Sequence, residues 1–530
     1  MLAKSMSDLP FSFFVAATQR AVAVKAKQPE GELLHVSETV SAAAAAYEML
    51  RNSIEYGEEH LLRRNAVRRI LKRRWGEEEY EKLARDLINE LIWARYLPND
   101  AVPSALIGDV AAILGKYRPL FATLEVRPPD SHKWFEWLLD LLSTEIEFQL
   151  VPPFAEESLA RFVYQDIKDR LKWESQEVQS EDRDLQLYLA VHRALIKSNP
   201  ATLRYRAFVL FYPAWTKQED ETLTRTVAEH LGEILEAIER QIRYPSADRL
   251  FRMVQRHAIV YHVLFDIVQK NPFGTETLGT DPVALQKAVG EAAAARYDRF
   301  HARIRRSILR AIVFLFFTKT VLAFLVEWPY EAFVVQSTDY LPLLTNIVFH
   351  PLLLGIIGLT VTIPEGRNTA AVLSDVKGVL GLEERHAMRF VPKKAWMKGR
   401  ARAVFDGLYA FMFLVTLSLI STFLHSLGFN AVSIVFFLFF LSLVTFFGIR
   451  IRGSRRELVL SEGIGGNVWS LLFDLFLLPV VRAGRWISLR APRVNIFLFF
   501  FDFIIEAPFK AGIQLLEGWF AFLREKREDI

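Results

Sequence analysis

The 530-residue chain contains no cysteine. Thiol nucleophiles, disulfides and Cys-ligated metal or iron–sulfur sites all need that side chain, so these chemistries are excluded together. A strong excess of one charge is missing too, because 65 Lys and Arg residues stand against 61 Asp and Glu residues, a formal net charge of +4. This balance gives no reason to expect nucleic acid as a partner.

Motifs that specify a reaction are also missing. The sequence has no Walker A loop, no Gly-x-Ser-x-Gly elbow and no His-Glu-x-x-His zinc motif. Glu383 and His386 form one Glu-x-x-His, whereas a di-iron bundle needs two such motifs and two further carboxylates. We therefore predict no metal and no cofactor, and an enzymatic activity is not favoured.

Long apolar runs are what the chain does have, and they lie in its last 225 residues. Four blocks cover 308–328, 342–363, 404–424 and 431–451. A helix of about 20 residues rises ~1.5 Å per residue and so crosses ~30 Å of hydrocarbon. The blocks predict four transmembrane helices within a membrane domain at 281–456.

Basic residues lie on alternate sides of these blocks. Arg303, Arg305, Arg306 and Arg310 precede the first block, whereas Glu327, Glu331 and Asp339 follow it without a Lys or Arg. The second connection is basic, the third has no Lys or Arg, and four arginines follow the last block: Arg450, Arg452, Arg455 and Arg456. Because Lys and Arg stay preferentially in the cytoplasm, the pattern predicts a multi-pass protein of the plasma (inner) membrane with N- and C-termini cytoplasmic.

The first 280 residues carry helical patterning with most of the charge. We predict an N-terminal segment (1–36), a first helical cytoplasmic subdomain (37–117) and a second one (130–280), separated by a proline-marked break at 118–129. Within Glu58–Trp75 seven basic side chains either lie on anionic lipid or form a solvated face answered by the adjacent Glu77–Glu81. The predicted fold class is all-α: this large helical cytoplasmic domain, four transmembrane helices, and two short amphipathic or re-entrant C-terminal helices.

A strong helix start precedes the first span. Asp281 can accept the free N–H groups of a first helical turn, and Pro282 needs no partner there. No further proline occurs before Pro329. One helix therefore runs from the cytoplasmic side into the bilayer, or it breaks near Arg303, and the sequence leaves both alternatives open.

The region 457–530 is predicted to form an interfacial helical pair. Phe473-Asp474 and Phe501-Asp502 open two related segments, offset by 28 residues, whose apolar runs are too short to span a membrane. Asp474, Asp502 and Glu506 are candidate functional carboxylates, although at an interface they can simply point to water. A glycine-rich stretch before them is either a plain linker or a head-group site, in which the contacts would come from Gly463, Gly465, Gly466, Arg482 and Arg485.

Three polar residues lie inside the predicted spans. Lys319 is near the midpoint of the first, and Asn346 and His350 belong to the second. Ionisable groups at membrane depth are costly and usually face protein or water. A contact of Lys319 with His350 or Asp474 would be part of an ion or proton path, or a structural peg between helices.

The sequence is compatible with three functions. The first is a membrane-anchored cytoplasmic scaffold or regulator, the second a small transporter or channel subunit, and the third a lipid-modifying enzyme at the cytoplasmic face. The expected partners are the lipid bilayer and a cytoplasmic protein. The sequence does not determine the oligomeric state.

Overall fold

A computed structural model of the chain describes residues 10–26, 31–36, 48, 59–76, 79–125, 131–216, 221–336, 340–363, 365–385, 387–391, 400–460 and 480–487. About 82% of it is helical with almost no sheet, which confirms the all-α class. The chain divides into two compact units between Val254 and Gln255, and the later strand Met388–Phe390 belongs to the first unit.

Unit 1 is a helical body with one short parallel strand pair. Its elements are α1 (Pro10–Ala26), α2 (Glu59–Arg74), α3 (Tyr80–Trp93), α4 (Leu106–Glu125), α5 (Ser131–Leu150), α6 (Phe154–Arg170), β1 (Leu171–Trp173), α7 (Arg183–Leu195), α8 (Pro200–Phe211), α9 (Glu221–Glu229), α10 (Leu231–Ile242) and α11 (Ala247–Lys270), which continues past the division. Leu171 pairs with Met388 of strand β2 (Met388–Phe390).

Helix α5 lies at the centre of the unit 1 core and packs against α2, α4 and α8. Its buried side chains Leu138, Leu142 and Ile146 follow helical spacing. The same hydrophobic cluster runs from Leu34 to Ile238, so it contains residues from both predicted helical subdomains.

The proline-marked break between those subdomains begins later than predicted. Helix α4 continues through Pro119 to Glu125, although an internal proline removes one backbone hydrogen bond. Tyr117, Leu120 and Phe121 are buried on both sides of this proline. We attribute the continued helix to this burial, because tertiary packing routinely overrides local propensity.

The basic helix α2 lies on acidic side chains of unit 1. Its arginines follow α5 in antiparallel order, with Arg63 on Glu147 at 2.7 Å, Arg64 on Asp140 at 3.2 Å, and Arg68 on both Asp140 and Glu136. The other basic residues pair likewise, in the combinations Arg69–Glu48, Lys72–Glu136, Arg73–Glu90 and Arg74–Asp86. Carboxylates from other parts of unit 1 therefore answer these charges, whereas Glu77 and Glu78 lie outside the described part of the chain.

Unit 2 contains four helices that are long and apolar enough to cross a membrane. Its elements are α12 (Pro282–Leu322), α13 (Tyr340–Leu359), α14 (Glu365–Val379), α15 (Arg400–Ser426) and α16 (Ala431–Ser454). Helix α12 packs on α13, α13 on α16, and α15 on α16.

Helix α12 is unbroken at the arginine cluster. The Asp281 carboxylate accepts hydrogen bonds from the N–H groups of Val283 and Ala284, at 2.9 and 3.1 Å, and Pro282 occupies the first turn. The helix then passes Arg303 and enters the apolar block without interruption. Of the two alternatives left open by the sequence, the continuous helix is observed.

The first of the four long apolar helices ends later than the predicted position 328. Two π-helical segments, Ala323–Glu327 and Glu331–Val335, carry it through Pro329 to Val335. Such wide turns leave room where a proline cannot donate its hydrogen bond. As a result Glu327 and Glu331, which the sequence suggested were loop residues, lie in the helix and are buried.

Candidate functional site in the membrane unit

Three of the helices that are apolar enough to cross a membrane bring polar side chains together near the middle of the apolar region. Lys319 of α12 and Asn346 and His350 of α13 are 2%, 1% and 0% exposed. Lys319 follows Arg310 by nine residues, which is ~14 Å of helix and close to half of a ~30 Å hydrocarbon layer. The structure thus joins the three intramembrane candidates in one cluster.

The Lys319 ammonium uses all its donors within this cluster. Its Nζ donates to the Asn346 carbonyl oxygen, to Asn346 Oδ1 at 2.5 Å and to His350 Nδ1 at 2.9 Å. An ammonium has three N–H groups, so its hydrogen-bonding capacity is filled. The ring of Phe440 lies 4.8 Å from Nζ and adds a cation–π contact.

The charge that answers Lys319 comes from Glu327, through Asn346. Nδ2 of Asn346 donates to both carboxylate oxygens of Glu327 at 2.8 Å, and the hydroxyl of Ser433 on α16 donates to the same carboxylate at 3.3 Å. The Asn346 amide therefore touches the cation with its oxygen and the anion with its nitrogen. Two opposite charges are held apart by one neutral side chain.

The two hydrogen-bond partners of His350 determine its tautomer. Nε2 lies 3.0 Å from the Phe437 carbonyl oxygen, which can only accept, so Nε2 carries the proton. Nδ1 faces the Lys319 ammonium, which can only donate, so Nδ1 has a free lone pair. In this arrangement His350 is neutral and both of its ring nitrogens are used.

Further polar contacts extend from the cluster toward the loop between α15 and α16. Asn430 accepts from the N–H of Ser433 at 2.8 Å as the N-cap of α16, and its Nδ2 donates to Glu331 at 2.9 Å. Asn346, Glu327, Ser433, Asn430 and Glu331 thus form a row along three helices. Each step is a hydrogen bond, with Ser433 linking the two halves.

The predicted C-terminal site residues are described only in part. Arg482 and Arg485 lie in the helical stretch 480–487, where the Arg482 guanidinium lies 4.4 Å from the Tyr409 ring of α15. A Cβ at Gly484 would collide with the Ser442 carbonyl oxygen, so this stretch packs closely on α16. The other predicted residues lie outside the described part of the chain: Gly463, Gly465, Gly466, Asp474, Asp502 and Glu506. The contact of Lys319 with Asp474 stays a prediction.

Sequence reasoning missed Glu327 and Ser433 as members of the cluster. The charge pattern predicted Glu327 to be part of the short segment that follows the first apolar block. It also follows Lys319 by eight residues, which on an ordinary α-helix is ~80° away at ~100° per residue. The wide π turn at Ala323–Glu327 reduces that rotation and brings both side chains to one face.

Unit 1 has a separate polar pocket of about 1120 Å³. Two ion pairs line it, Lys116 with Glu145 and the buried Arg206 with the partly exposed Glu157. His192 lies behind the second pair, fully buried, and burial together with the Arg206 charge holds its pKa well below the usual value. Burial and the Glu145 charge raise the pKa of Tyr117 well above its usual value.

No group of three metal-binding side chains occurs among the residues that the structure describes. No family model matches the chain, and neither a curated protein nor a solved structure is significantly similar to it.

Proposed function

We propose that the chain is a multi-pass protein of the inner membrane with both of its ends in the cytoplasm. The alternation of basic and non-basic connections supports this orientation, and four helices of sufficient length and apolarity supply the spans. Unit 1 is then a cytoplasmic domain.

Cysteine accessibility tests the orientation, because the chain contains no cysteine of its own. Cysteines at Ser337 and Ser426 should react with a membrane-impermeant maleimide from outside intact cells, while cysteines at Ser5 and Ser454 should react only after lysis. Outside labelling at position 454 would overturn the four-span topology.

For the activity, we propose a membrane-anchored scaffold or regulator. The observation that carries this proposal is the saturated polar cluster: Lys319, Asn346 and His350 direct their hydrogen bonds at one another, at the Glu327 carboxylate and at protein backbone. A transport site needs polar groups with unused capacity facing a water-filled cavity. A closed cluster is better suited to fixing the register of packed helices.

A surface for a cytoplasmic partner is available beside the unit 1 pocket. Phe154 and Leu210 line that pocket and are 57% and 46% exposed. Exposed apolar groups at a concave site are typical of binding surfaces. A photo-crosslinking residue at Leu210 of the full chain should yield one defined adduct in native membranes, whereas the same residue at the exposed Phe273 of unit 2 should not.

A second candidate function is a small proton or ion carrier. The row from Lys319 to Glu331 favours it, since chains of ionisable and hydrogen-bonding groups conduct protons in pumps and transporters. The full chain in vesicles with an internal pH dye distinguishes the two functions. A scaffold gives no more flux than protein-free vesicles under an imposed potential, whereas flux abolished by Lys319→Met would establish the carrier.

A further inference from the structure

An apolar groove runs along the outer face of α12 and α13 in unit 2. It has a volume of about 990 Å³, at the upper end of the range for small-molecule pockets. Its wall on α12 follows helical spacing through Arg305, Ile308, Ile312 and Phe316, and Leu352 and Ile356 line it on α13. The lining side chains Phe316, Leu352 and Ile356 are largely exposed.

Two glycines shape the floor of this groove. A Cβ at Gly355 would lie 3.6 Å from Ile312, and a Cβ at Gly358 would collide with Ile308. The isoleucines of α12 therefore lie directly on the backbone of α13. This close approach leaves a continuous concave surface rather than two separate helix faces.

One end of the groove is charged and the rest is not. His301 and Arg305 line that end, together with Asp298. Arg305 is exposed. Basic pockets between transmembrane helices on the cytoplasmic side bind the head groups of anionic lipids.

The length of the groove matches one leaflet. Arg305 and Phe316 are eleven residues apart, or ~16 Å along a helix, and one leaflet contributes half of ~30 Å of hydrocarbon. A molecule with its anionic end at Arg305 would place an apolar tail of that length against Ile308, Ile312 and Leu352.

We propose that this groove binds one anionic glycerophospholipid of the arginine-side leaflet. Its phosphate lies on Arg305 and His301, and one acyl chain lies along the α12–α13 groove. Asp298 accepts a hydrogen bond from a head-group hydroxyl, which makes a glycerol head group the best fit. This site rests on membrane insertion of α12 and α13 and is independent of whether the protein is a scaffold or a carrier.

Native mass spectrometry of the full delipidated chain in detergent tests the site. In the first binding step, one molecule of dioleoyl phosphatidylglycerol should bind more tightly than one molecule of dioleoyl phosphatidylcholine. Arg305→Gln should weaken the phosphatidylglycerol step about fivefold, the effect of one basic side chain at a membrane surface, and leave phosphatidylcholine unchanged. Arg306→Gln is the matched control, since Arg306 does not line the groove.

A second variant keeps the test decisive if head-group contacts prove redundant. Leu352→Trp fills the groove and should remove the first step for both lipids, with thermal unfolding as the check on folding. Inorganic phosphate should not compete, because it has no chain. Equal binding of the two lipids by the unaltered chain, equal effects of Arg305→Gln and Arg306→Gln, or competition by inorganic phosphate would each overturn the proposal.

Discussion

The basic helix of unit 1 and the lysine of unit 2 show two ways of keeping charge inside a protein. Seven basic residues of α2 pair directly with carboxylates outside this helix. Some of these carboxylates have more than one basic partner, as Asp140 pairs with Arg64, Arg68 and Arg204. Within the described part of the chain Lys319 contacts no carboxylate directly and reaches Glu327 through Asn346.

The difference predicts how each region responds to loss of one charge. In the network of unit 1 a shared carboxylate such as Asp140 or Glu136 keeps another basic partner when one is lost. In the Lys319 cluster each charge has one counterpart among the described residues, so loss of either leaves the other buried without its opposite charge there. Removing one member of a buried pair costs more than removing both.

The largest effect is expected for Lys319→Met. Glu327 would keep its hydrogen bonds from Asn346 and Ser433 but lose its counter-charge, at a cost of about 3–5 kcal/mol. Equilibrium unfolding in mixed micelles measures this loss in the free energy of unfolding. The same change at the exposed Lys270, paired with Glu291, is the control and should cost under about 1 kcal/mol.

A smaller effect is expected for Glu145→Gln in unit 1. The Glu145 carboxylate accepts from Lys116, from the Tyr117 hydroxyl at 2.7 Å and from Trp215 Nε1 at 2.8 Å. The Gln amide has only one acceptor oxygen, so the free energy of unfolding should fall by about 1.5–3 kcal/mol. Hydrogen exchange across α5 reports it, and Glu174→Gln at the exposed pair with Arg389 should leave exchange unchanged.

The third prediction concerns pH. Burial and the Arg206 charge lower the pKa of His192, so the folded protein keeps this ring neutral while the unfolded chain binds a proton below about pH 6.5. The resulting stability is present above that pH and is lost as the pH falls, by up to ~1.4 kcal/mol per unit.

The variant His192→Leu should flatten this pH dependence. Exchange of α7 amides at pH 7.5 and 5.5 measures it, with the exposed His132→Leu as the matched loss of a histidine. An unaltered slope in His192→Leu would show that another group sets the pH dependence of unit 1.

The smallest effect is expected for Lys72→Gln. Lys72 is 51% exposed, and its partner Glu136 also receives Arg68. Exposed pairs contribute about 0.2–1 kcal/mol. If equilibrium unfolding showed a loss of free energy above ~2 kcal/mol, the ion pairs of α2 would not differ from the Lys319 and Glu327 pair in the way proposed.

Local sequence signals predicted the parts of the fold that depend on neighbours along the chain. The Asp281-Pro282 helix start and the four apolar helices are present, because capping and apolar length act locally. The partners of α2 and the helical position of Glu327 were not predicted. The partners of α2 are far from it in sequence, and the position of Glu327 depends on a π-helical turn that no sequence pattern predicted.

The candidate site was predicted in part for the same reason. Lys319, Asn346 and His350 are conspicuous in apolar sequence and proved to be neighbours. Ser433 is an ordinary residue for a helix start, and its place beside Glu327 follows only from the packing of α16. Polar residues inside an apolar run can be recognised in the sequence, whereas the residues that they contact are known only from the fold.

The double variant Lys319→Met with Glu327→Gln tests the central claim most directly, through its free energy of unfolding beside those of the two single variants. If Lys319 and Glu327 compensate each other's charge, the double variant should be more stable than either single variant, because it leaves neither charge without its partner. Losses that simply add would contradict the account, since Lys319 and Glu327 would then not be partners.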